Sequence, residues 1–257
     1  MITFIGQENV IIELNVLAKA VRSGQNQNIL LLGKSGYGKT TLARLLAREI
    51  GLPYTMNIAT DYVDLSTIVI IIDEIHKLKG MEQLYPILDG KRNTLVLMTT
   101  ELGDLPEPLI NRCYQLWLQD YTPDQLMQIG RLYAKRHIPD NLLKIIVDRS
   151  RSTPRVIEQN VNRILLYQKT LEFIWTEEYL EALLETLGIL DGGFTYLDTQ
   201  YMNYLKQIGG VASLVTMTTG LHQSKETINR YIEPFLIDRG YIIITSKGRV
   251  MTQKWRE

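Results

Sequence analysis

A glycine-rich segment near the start of the sequence has the residue types and spacing of a phosphate-binding loop. Residues 33–40 read GKSGYGKT, follow a short apolar run and precede a helical pattern. Glycines allow successive backbone N–H groups to surround phosphate oxygens without obstruction by a Cβ atom. The motif therefore predicts that Lys39 reaches the β- and γ-phosphates of ATP and that the Thr40 hydroxyl binds Mg²⁺. The residues expected to bind the nucleotide here are Gly36, Tyr37, Gly38, Lys39, Thr40 and Thr41.

Two adjacent acids follow a β-branched run that predicts a buried strand. The run is 68–72, and Asp73 and Glu74 come directly after it. A carboxylate at the end of a buried strand is costly without a cation, and Mg²⁺ held by Asp73, partly through water, would supply one. Glu74 could then polarise the attacking water as a general base. The alternative is that both acids only cap a helix that begins near Ile75.

Three further polar residues are candidates for the same chemistry. Thr100 ends the next predicted strand, where a hydroxyl could orient the attacking water or touch the γ-phosphate. A strand that simply ends in turn-forming threonines is the alternative. Arg112 and Arg155 are isolated arginines, and by themselves such residues are typical of a solvated surface.

The elements that would position these residues follow from the apolar periodicity. Short apolar runs predict strands at 28–32, 54–58, 68–72 and 94–99, and they alternate with helical patterns such as 8–22 and 40–50. This alternation predicts an α/β fold of the P-loop NTPase type, with a parallel sheet and helices on both faces.

The pattern changes after about residue 118. Residues 122–125 have the pattern of a helix start, and helical patterns follow at about 140–150, 154–171 and 176–186. This stretch contains no convincing strand and predicts a small helical lid domain. Helical stretches at about 195–208, 212–217 and 224–235 then precede a strand pair at 241–245 and 249–252, which predicts a winged helix. The expected domains are therefore 1–118 for nucleotide binding, 119–184 for the lid and 185–257 for the winged helix.

Composition and charge restrict the class of protein. The 257 residues carry a formal net charge of zero, so any contact with DNA must come from a local basic patch. Cys113 is the single cysteine, which excludes a disulfide within the chain and fits a reducing compartment. The first residues lack the pattern of a signal peptide, and the longest apolar run is too short for a bilayer. We expect a cytoplasmic protein without a membrane association.

The motifs together resemble AAA+ ATPases, and more narrowly the RuvB family of motors that drive branch migration of Holliday junctions. The resemblance is spread over almost the whole chain, at 4–7, 73–76, 84–86, 111–113, 148–155, 232–241 and 245–249. The last two segments are the most specific, because AAA+ proteins in general lack them.

The resemblance implies roles for three of the candidates. Arg112 would be an arginine finger that reaches an ATP bound by the neighbouring subunit. Arg155 would be the second sensor, contacting ATP from the lid of its own chain. Thr100 would be the first sensor.

Five other positions match the family near the nucleotide or on the wing. Ile5 and Tyr121 would lie near the nucleotide, and Asp89 would approach the site of the neighbouring subunit. Lys247 and Arg249 match basic residues of a DNA-binding wing, although two cations at a solvated hairpin tip are the alternative.

The sequence departs from the family in two places. The family has a long hairpin between the Tyr85-Pro86 segment and the strand at 94–99, and here the connection is too short for it. That hairpin docks on the junction-recognition protein RuvA, so partnership with RuvA is in doubt. The stretch between Thr41 and Asp73 is also short.

Two functions from different classes fit these observations. The first is a homo-oligomeric ring, expected to be a hexamer, that hydrolyses ATP to move duplex or branched DNA. An arginine finger favours the ring, since a residue that serves a neighbour's phosphate has no use in a monomer. The second is an ATP-switched loader that brings a helicase, clamp or transposase to DNA. A ring that acts only through protein contacts is a third class.

Overall fold

The computed structural model describes residues 1–60, 62–90 and 92–255. The chain divides into two compact units. The first comprises Met1–Tyr133 and Thr153–Gln159, and the second comprises Ala134–Ser152 and the residues from Asn160 onward. Within the described ranges, no helix is long and apolar enough to cross a membrane.

A parallel sheet forms the centre of the first unit. Its strands are β1 (Ile29–Leu32), β2 (Tyr54–Ile58), β3 (Val69–Asp73), β4 (Thr94–Thr99) and β5 (Tyr114–Trp117). They pair in the order β2-β3-β4-β1-β5, all in parallel. The three inner strands are aliphatic and almost fully buried, as in a sheet covered on both faces. Parallel pairing brings the carboxyl ends of β1, β3 and β4 to one edge, where the predicted site residues follow.

Helices lie before, between and after these strands along the chain. They are α1 (Glu8–Arg22), α2 (Lys39–Ile50), α3 (Tyr85–Gly90), α4 (Glu107–Ile110) and α5 (Pro123–Ala134). The α/β prediction for this part of the chain is confirmed, including the bounds of α1. Helix α1 buries one apolar stripe, as its periodicity predicts: Val10, Leu14, Leu17, Ala18 and Val21.

The remaining chain is helical and then ends in a small sheet. The helices are α6 (Asp140–Asp148), α7 (Pro154–Leu171), α8 (Glu177–Thr186), α9 (Tyr196–Gln207), α10 (Leu214–Leu221), α11 (Lys225–Thr227) and α12 (Glu233–Asp238). Strands β6 (Val211–Ala212), β7 (Ile242–Thr245) and β8 (Gly248–Met251) form an antiparallel sheet in the order β6-β8-β7. The predicted winged helix is confirmed, with β7 and β8 as its hairpin.

The structure differs from the predicted elements in two places. The sequence analysis missed β5, because this edge strand buries only Leu116 and therefore shows no apolar run. The helical stretch expected at 224–235 is not one regular helix. It consists of α11, a π-helical turn at Ile228–Ile232 and then α12, which has Pro234 in its first turn. A proline has no N–H to continue the α-helical bonding, which explains the break.

Candidate nucleotide-binding site

A cavity of about 480 Å³ lies in the first unit at the carboxyl edge of the sheet. It is lined by the N-terminal segment, the glycine-rich loop, the acid pair and the start of α7. The residues predicted for ATP or catalysis that line it are Ile5, Gly36, Gly38, Lys39, Thr40, Thr41, Asp73, Glu74, Tyr121 and Arg155. The structure therefore brings together side chains that are up to 150 positions apart in the sequence.

The glycine-rich loop is shaped by two glycines that other residues could not replace. Gly36 and Gly38 both have positive φ, at 79° and 95°. A Cβ atom added to Gly38 would lie 2.6 Å from the Phe4 ring, and one added to Gly36 would lie 2.9 Å from Arg155 Cβ. Contacts this close require the neighbouring groups to move. The loop thus needs glycine both for its backbone conformation and for space.

Lys39 begins α2 with its ammonium group turned back into the loop. The Nζ atom donates to the carbonyl oxygens of Gly33 at 2.6 Å and Lys34 at 3.1 Å. Burial lowers the pKa of Lys39, and the nearby carboxylates of Glu74 and Asp73 oppose that shift. The arrangement holds a cation at the point where a phosphate group would meet the helix N-terminus.

Thr40 and Asp73 lie side by side although they come from different elements. The Thr40 hydroxyl donates to Asp73 Oδ2 at 2.8 Å. One hydroxyl and one carboxylate are hard oxygen ligands of the kind that Mg²⁺ accepts together with phosphate and water. In the part of the chain that the structure describes, no cluster of three or more His, Cys, Asp or Glu side chains could hold a metal ion. A metal at this point would therefore need ligands from the nucleotide and water.

Glu74 follows Asp73 in a backbone conformation that is unusual for glutamate. Its φ and ψ are 54° and 44°, in the left-handed region. A non-glycine residue in this region is strained, and such strain is concentrated at functional sites. Glu74 lines the cavity, so its carboxylate lies within the same site as Lys39 and Asp73.

The other end of the cavity is apolar and aromatic. Phe4, Ile5, Tyr121 and Tyr133 line it, together with aliphatic side chains of α5. The Tyr121 hydroxyl donates to the carbonyl oxygen of Tyr37 at 2.8 Å, and burial raises the pKa of Tyr121 to about 12. The Tyr121 hydroxyl therefore stays protonated, and the hydrogen bond that it donates holds the ring in place. An apolar wall of this kind suits the face of a nucleotide base.

Tyr37 is not among the residues that line the cavity, and its side chain has other partners. Its hydroxyl donates to Asp120 Oδ1 at 2.9 Å, and its ring packs edge-on against Tyr121. Any contact of Tyr37 with a nucleotide is therefore left to its backbone N–H. The residue instead supports the aromatic wall.

Arg155 lies at the start of α7 and lines the cavity. Its Nη1 atom is 3.4 Å from Ser35 Oγ, so the guanidinium is beside the glycine-rich loop. The sequence analysis missed Tyr133 and Glu158, which also line the cavity. Glu158 could have been found, because it lies three residues after Arg155 on the same face of a predicted helix.

Thr100, Asp89 and Arg112 are not among the residues that line this cavity. Arg112 and Asp89 instead form an ion pair within the chain, with Nε 2.9 Å from Oδ1. The guanidinium also donates to the carbonyl oxygen of Pro108 and lies 5.0 Å from the centre of the Tyr85 ring. A role for Arg112 and Asp89 at a neighbour's site stays a prediction.

The two cations predicted for the wing differ in their surroundings. Lys247 is exposed in the turn between β7 and β8. Arg249 points inward, where Nε and Nη2 bind the carboxylate of Glu233 at 2.7 and 3.1 Å. Glu233 also accepts from the Tyr201 hydroxyl at 2.9 Å and its side chain is 3% exposed. Arg249 thus has a structural role that the sequence analysis missed, and its contact with DNA stays a prediction.

The sheet, the glycine-rich loop and the acid pair define a nucleotide-binding P-loop ATPase of the AAA+ class. Two family models match the chain. The Holliday junction DNA helicase RuvB P-loop domain matches residues 1–98, and the RuvB C-terminal winged helix domain matches residues 191–256. The chain belongs to the RuvB family.

Similar proteins cover nearly the whole chain. The RuvB subunit of the Holliday junction branch migration complex from Wolinella succinogenes is 32% identical, over 99% of this chain and 88% of that protein. The corresponding subunit from Mycoplasma genitalium is 29% identical, over 99% of this chain and 94% of that protein. Both alignments span 296 positions, although the chain has 257 residues. The relatives therefore carry segments that this chain lacks.

Solved structures agree with this assignment. The Thermotoga maritima RuvB Holliday junction branch migration motor has a TM-score of 0.82 at 29% identity, over 98% of this chain and 94% of that chain. Domain III of the Thermotoga maritima replication initiation protein DnaA matches 72% of the chain with a TM-score of 0.58 at 14% identity. That second match shows the fold alone.

Proposed function

We propose that this protein is a ring-forming ATPase that couples ATP hydrolysis to the movement of branched DNA, as a Holliday junction motor. The observation that carries the proposal is the cavity in which Lys39, Thr40, Asp73 and Glu74 meet. These residues supply a phosphate-binding cation, two oxygen ligands for Mg²⁺ and a general base, which are the parts that ATP hydrolysis requires.

Each residue has a defined task in the proposed reaction. Lys39 and the loop N–H groups bind the β- and γ-phosphates, and Arg155 approaches them from the start of α7. Thr40 and Asp73 would hold Mg²⁺, and a metal ion there would supply positive charge against the phosphates. Glu74 accepts a proton from the water that attacks the γ-phosphorus. Thr100 is proposed to sense the γ-phosphate from the end of β4.

The position of Arg112 supports the proposed ring. This arginine does not line the cavity of its own chain, whereas the proposed reaction needs a further positive charge at the transferred phosphoryl group. A neighbouring subunit can supply that charge if the chains assemble head to tail. We propose a hexamer, in which Asp89 lies beside Arg112 at the interface between subunits.

Contact with DNA is assigned to the winged helix. Lys247 at the hairpin turn is the cation that supports this role, because it is exposed and can reach a phosphate. We keep the proposed domains at 1–118, 119–184 and 185–257. Partnership with RuvA is not part of the proposal. The connection between Tyr85-Pro86 and β4 is too short for the hairpin that docks on RuvA in the family. The loader alternative is not favoured, because the relatives that match nearly the full chain are branch migration subunits.

The proposal is tested by measuring ATP hydrolysis with no DNA, with linear duplex and with a synthetic four-way junction. We expect hydrolysis that requires Mg²⁺, is stimulated by the junction and is lost in Lys39→Ala. If the protein binds the junction but hydrolyses ATP slowly, at a rate that DNA does not change, the ATP-switched loader would be supported over the motor. Hydrolysis by Lys39→Ala at the normal rate would show that this cavity is not the active site.

A further inference from the structure

His76 connects the proposed general base to the end of strand β4. Its Nε2 atom lies 3.3 Å from Glu74 Oε2, and its Nδ1 atom lies 2.8 Å from Thr99 Oγ1. The His76 side chain is 11% exposed and Thr99 is fully buried. The contact with Thr99 is therefore shielded from water, whereas the Glu74 side chain is 31% exposed where it lines the cavity.

The two partners of the imidazole determine which nitrogen carries the proton. The proposed base Glu74 is a carboxylate, which only accepts hydrogen bonds, so the nitrogen that faces it has to be the donor. The Thr99 hydroxyl, which accepts from the backbone N–H of Glu101 at 2.9 Å, has its own hydrogen available for His76 Nδ1. In the neutral imidazole the proton is consequently on Nε2, the atom that faces Glu74.

We propose that His76 is a positioning residue, which presents Nε2–H to the Glu74 carboxylate and holds it for the attacking water. The inference rests on the proposed function, since it concerns the base of that reaction. It also links two parts of the site, because Thr99 directly precedes Thr100, the proposed γ-phosphate sensor. A displacement of the end of β4 would be transmitted to the Glu74 carboxylate through the Thr99 hydroxyl and the His76 ring.

A second cation beside Glu74 does not provide the same restraint. Lys77 Nζ lies 3.5 Å from Glu74 Oε2, but its side chain is 60% exposed. Exposed ion pairs contribute little because water screens them and the long side chain remains free to move. The His76 side chain is only 11% exposed and its ring is anchored at the other nitrogen, so it can fix the direction of the carboxylate.

The test compares His76→Ala and Thr99→Val with the wild-type protein in steady-state ATP hydrolysis and in ATP binding. We expect kcat to fall roughly tenfold in each variant, while KM and ATP affinity change by less than about twofold. The double variant should lose no more than the worse single variant, because both changes break one chain of contacts. Thr99→Ser keeps the hydroxyl and should recover most of the rate, which a packing role would not explain.

Lys77→Ala is the matched control, since it removes the exposed neighbour of Glu74 and should leave kcat within about twofold. If His76→Ala fails to fold, the isosteric Thr99→Val decides the question. Wild-type kcat in Thr99→Val, or an equal loss in Lys77→Ala, would overturn the inference while the proposed function stands. An inactive wild-type protein, or Glu74→Gln hydrolysing at the normal rate, would overturn both.

Discussion

Arg112 and Asp89 bind each other through two pairs of atoms, with Nε–Oδ1 at 2.9 Å and Nη2–Oδ2 at 3.3 Å. Both residues are proposed to face the site of a neighbouring subunit. Within one chain, this paired geometry links the guanidinium of Arg112, two residues after the end of α4, to the carboxylate of Asp89 in α3. Arg112 must therefore exchange at least part of this contact to reach a phosphate of the neighbour.

The first prediction concerns the trans-acting role of Arg112. Arg112→Ala should bind ATP normally but lose about 10³-fold in kcat, the scale of an arginine finger. Mixing Arg112→Ala with Lys39→Ala should give more hydrolysis than either variant alone, because each supplies the half-site that the other lacks. Arg92→Ala, which removes an exposed arginine three residues after Asp89, is the control and should be fully active. Full activity in a dilute sample of Arg112→Ala would rule out the role.

A second prediction follows from the contact between Thr40 and Asp73. Chelation of Mg²⁺ should abolish hydrolysis. Thr40→Val keeps the shape of the side chain but removes the hydroxyl, so it should raise the Mg²⁺ concentration for half-maximal activity by roughly tenfold. A titration of hydrolysis against Mg²⁺ measures this shift. An unchanged midpoint in Thr40→Val would exclude the hydroxyl as a ligand.

The third prediction separates the two cations of the wing. Arg249→Ala leaves the Glu233 carboxylate buried with the Tyr201 hydroxyl but without its cation, so it should destabilise the winged helix by about 3 kcal/mol. Lys247→Ala should leave thermal stability unchanged, weaken binding to duplex DNA and reduce the salt slope by about one. Lys206→Ala, an exposed lysine on α9, is the control for both measurements. If Arg249→Ala keeps its stability and loses DNA affinity as Lys247→Ala does, Arg249 contacts DNA after all.

The fourth prediction uses the single cysteine of the chain. Cys113 packs against the core of the first unit, and burial raises the pKa of its thiol to about 12. A raised pKa keeps the thiol protonated at neutral pH, and the thiol form is a poor nucleophile. Cys113 should therefore react with iodoacetamide at pH 8 far more slowly in the folded protein than in denaturant. Equal rates in the two states would show that the thiol is exposed.

The sequence was sufficient for the parts of the site that are close together along the chain. The loop at 33–40 and the pair Asp73 and Glu74 each combine a specific motif with a strand that apolar periodicity detects. Arg155, which the resemblance to the family places near the nucleotide, also lines the cavity.

Other features depend on contacts that no local pattern encodes. Strand β5 is held at the sheet edge by its pairing with β1, although three of its four side chains are exposed. Arg249 has the same local sequence whether it faces solvent or Glu233, and the direction is set by packing in the winged helix. The contacts of His76 with Glu74 and Thr99 require the register of β3 beside β4, which appears only in three dimensions.

The central claim is that hydrolysis at this cavity drives the movement of branched DNA. The most direct measurement follows a synthetic four-way junction with mobile arms, labelled on one strand, as it is converted to duplex products. Wild-type protein with ATP and Mg²⁺ should convert the junction, whereas Glu74→Gln should bind ATP and the junction without converting it. Conversion by Glu74→Gln at the wild-type rate, or no conversion by a wild-type protein that hydrolyses ATP on the same junction, would contradict the account.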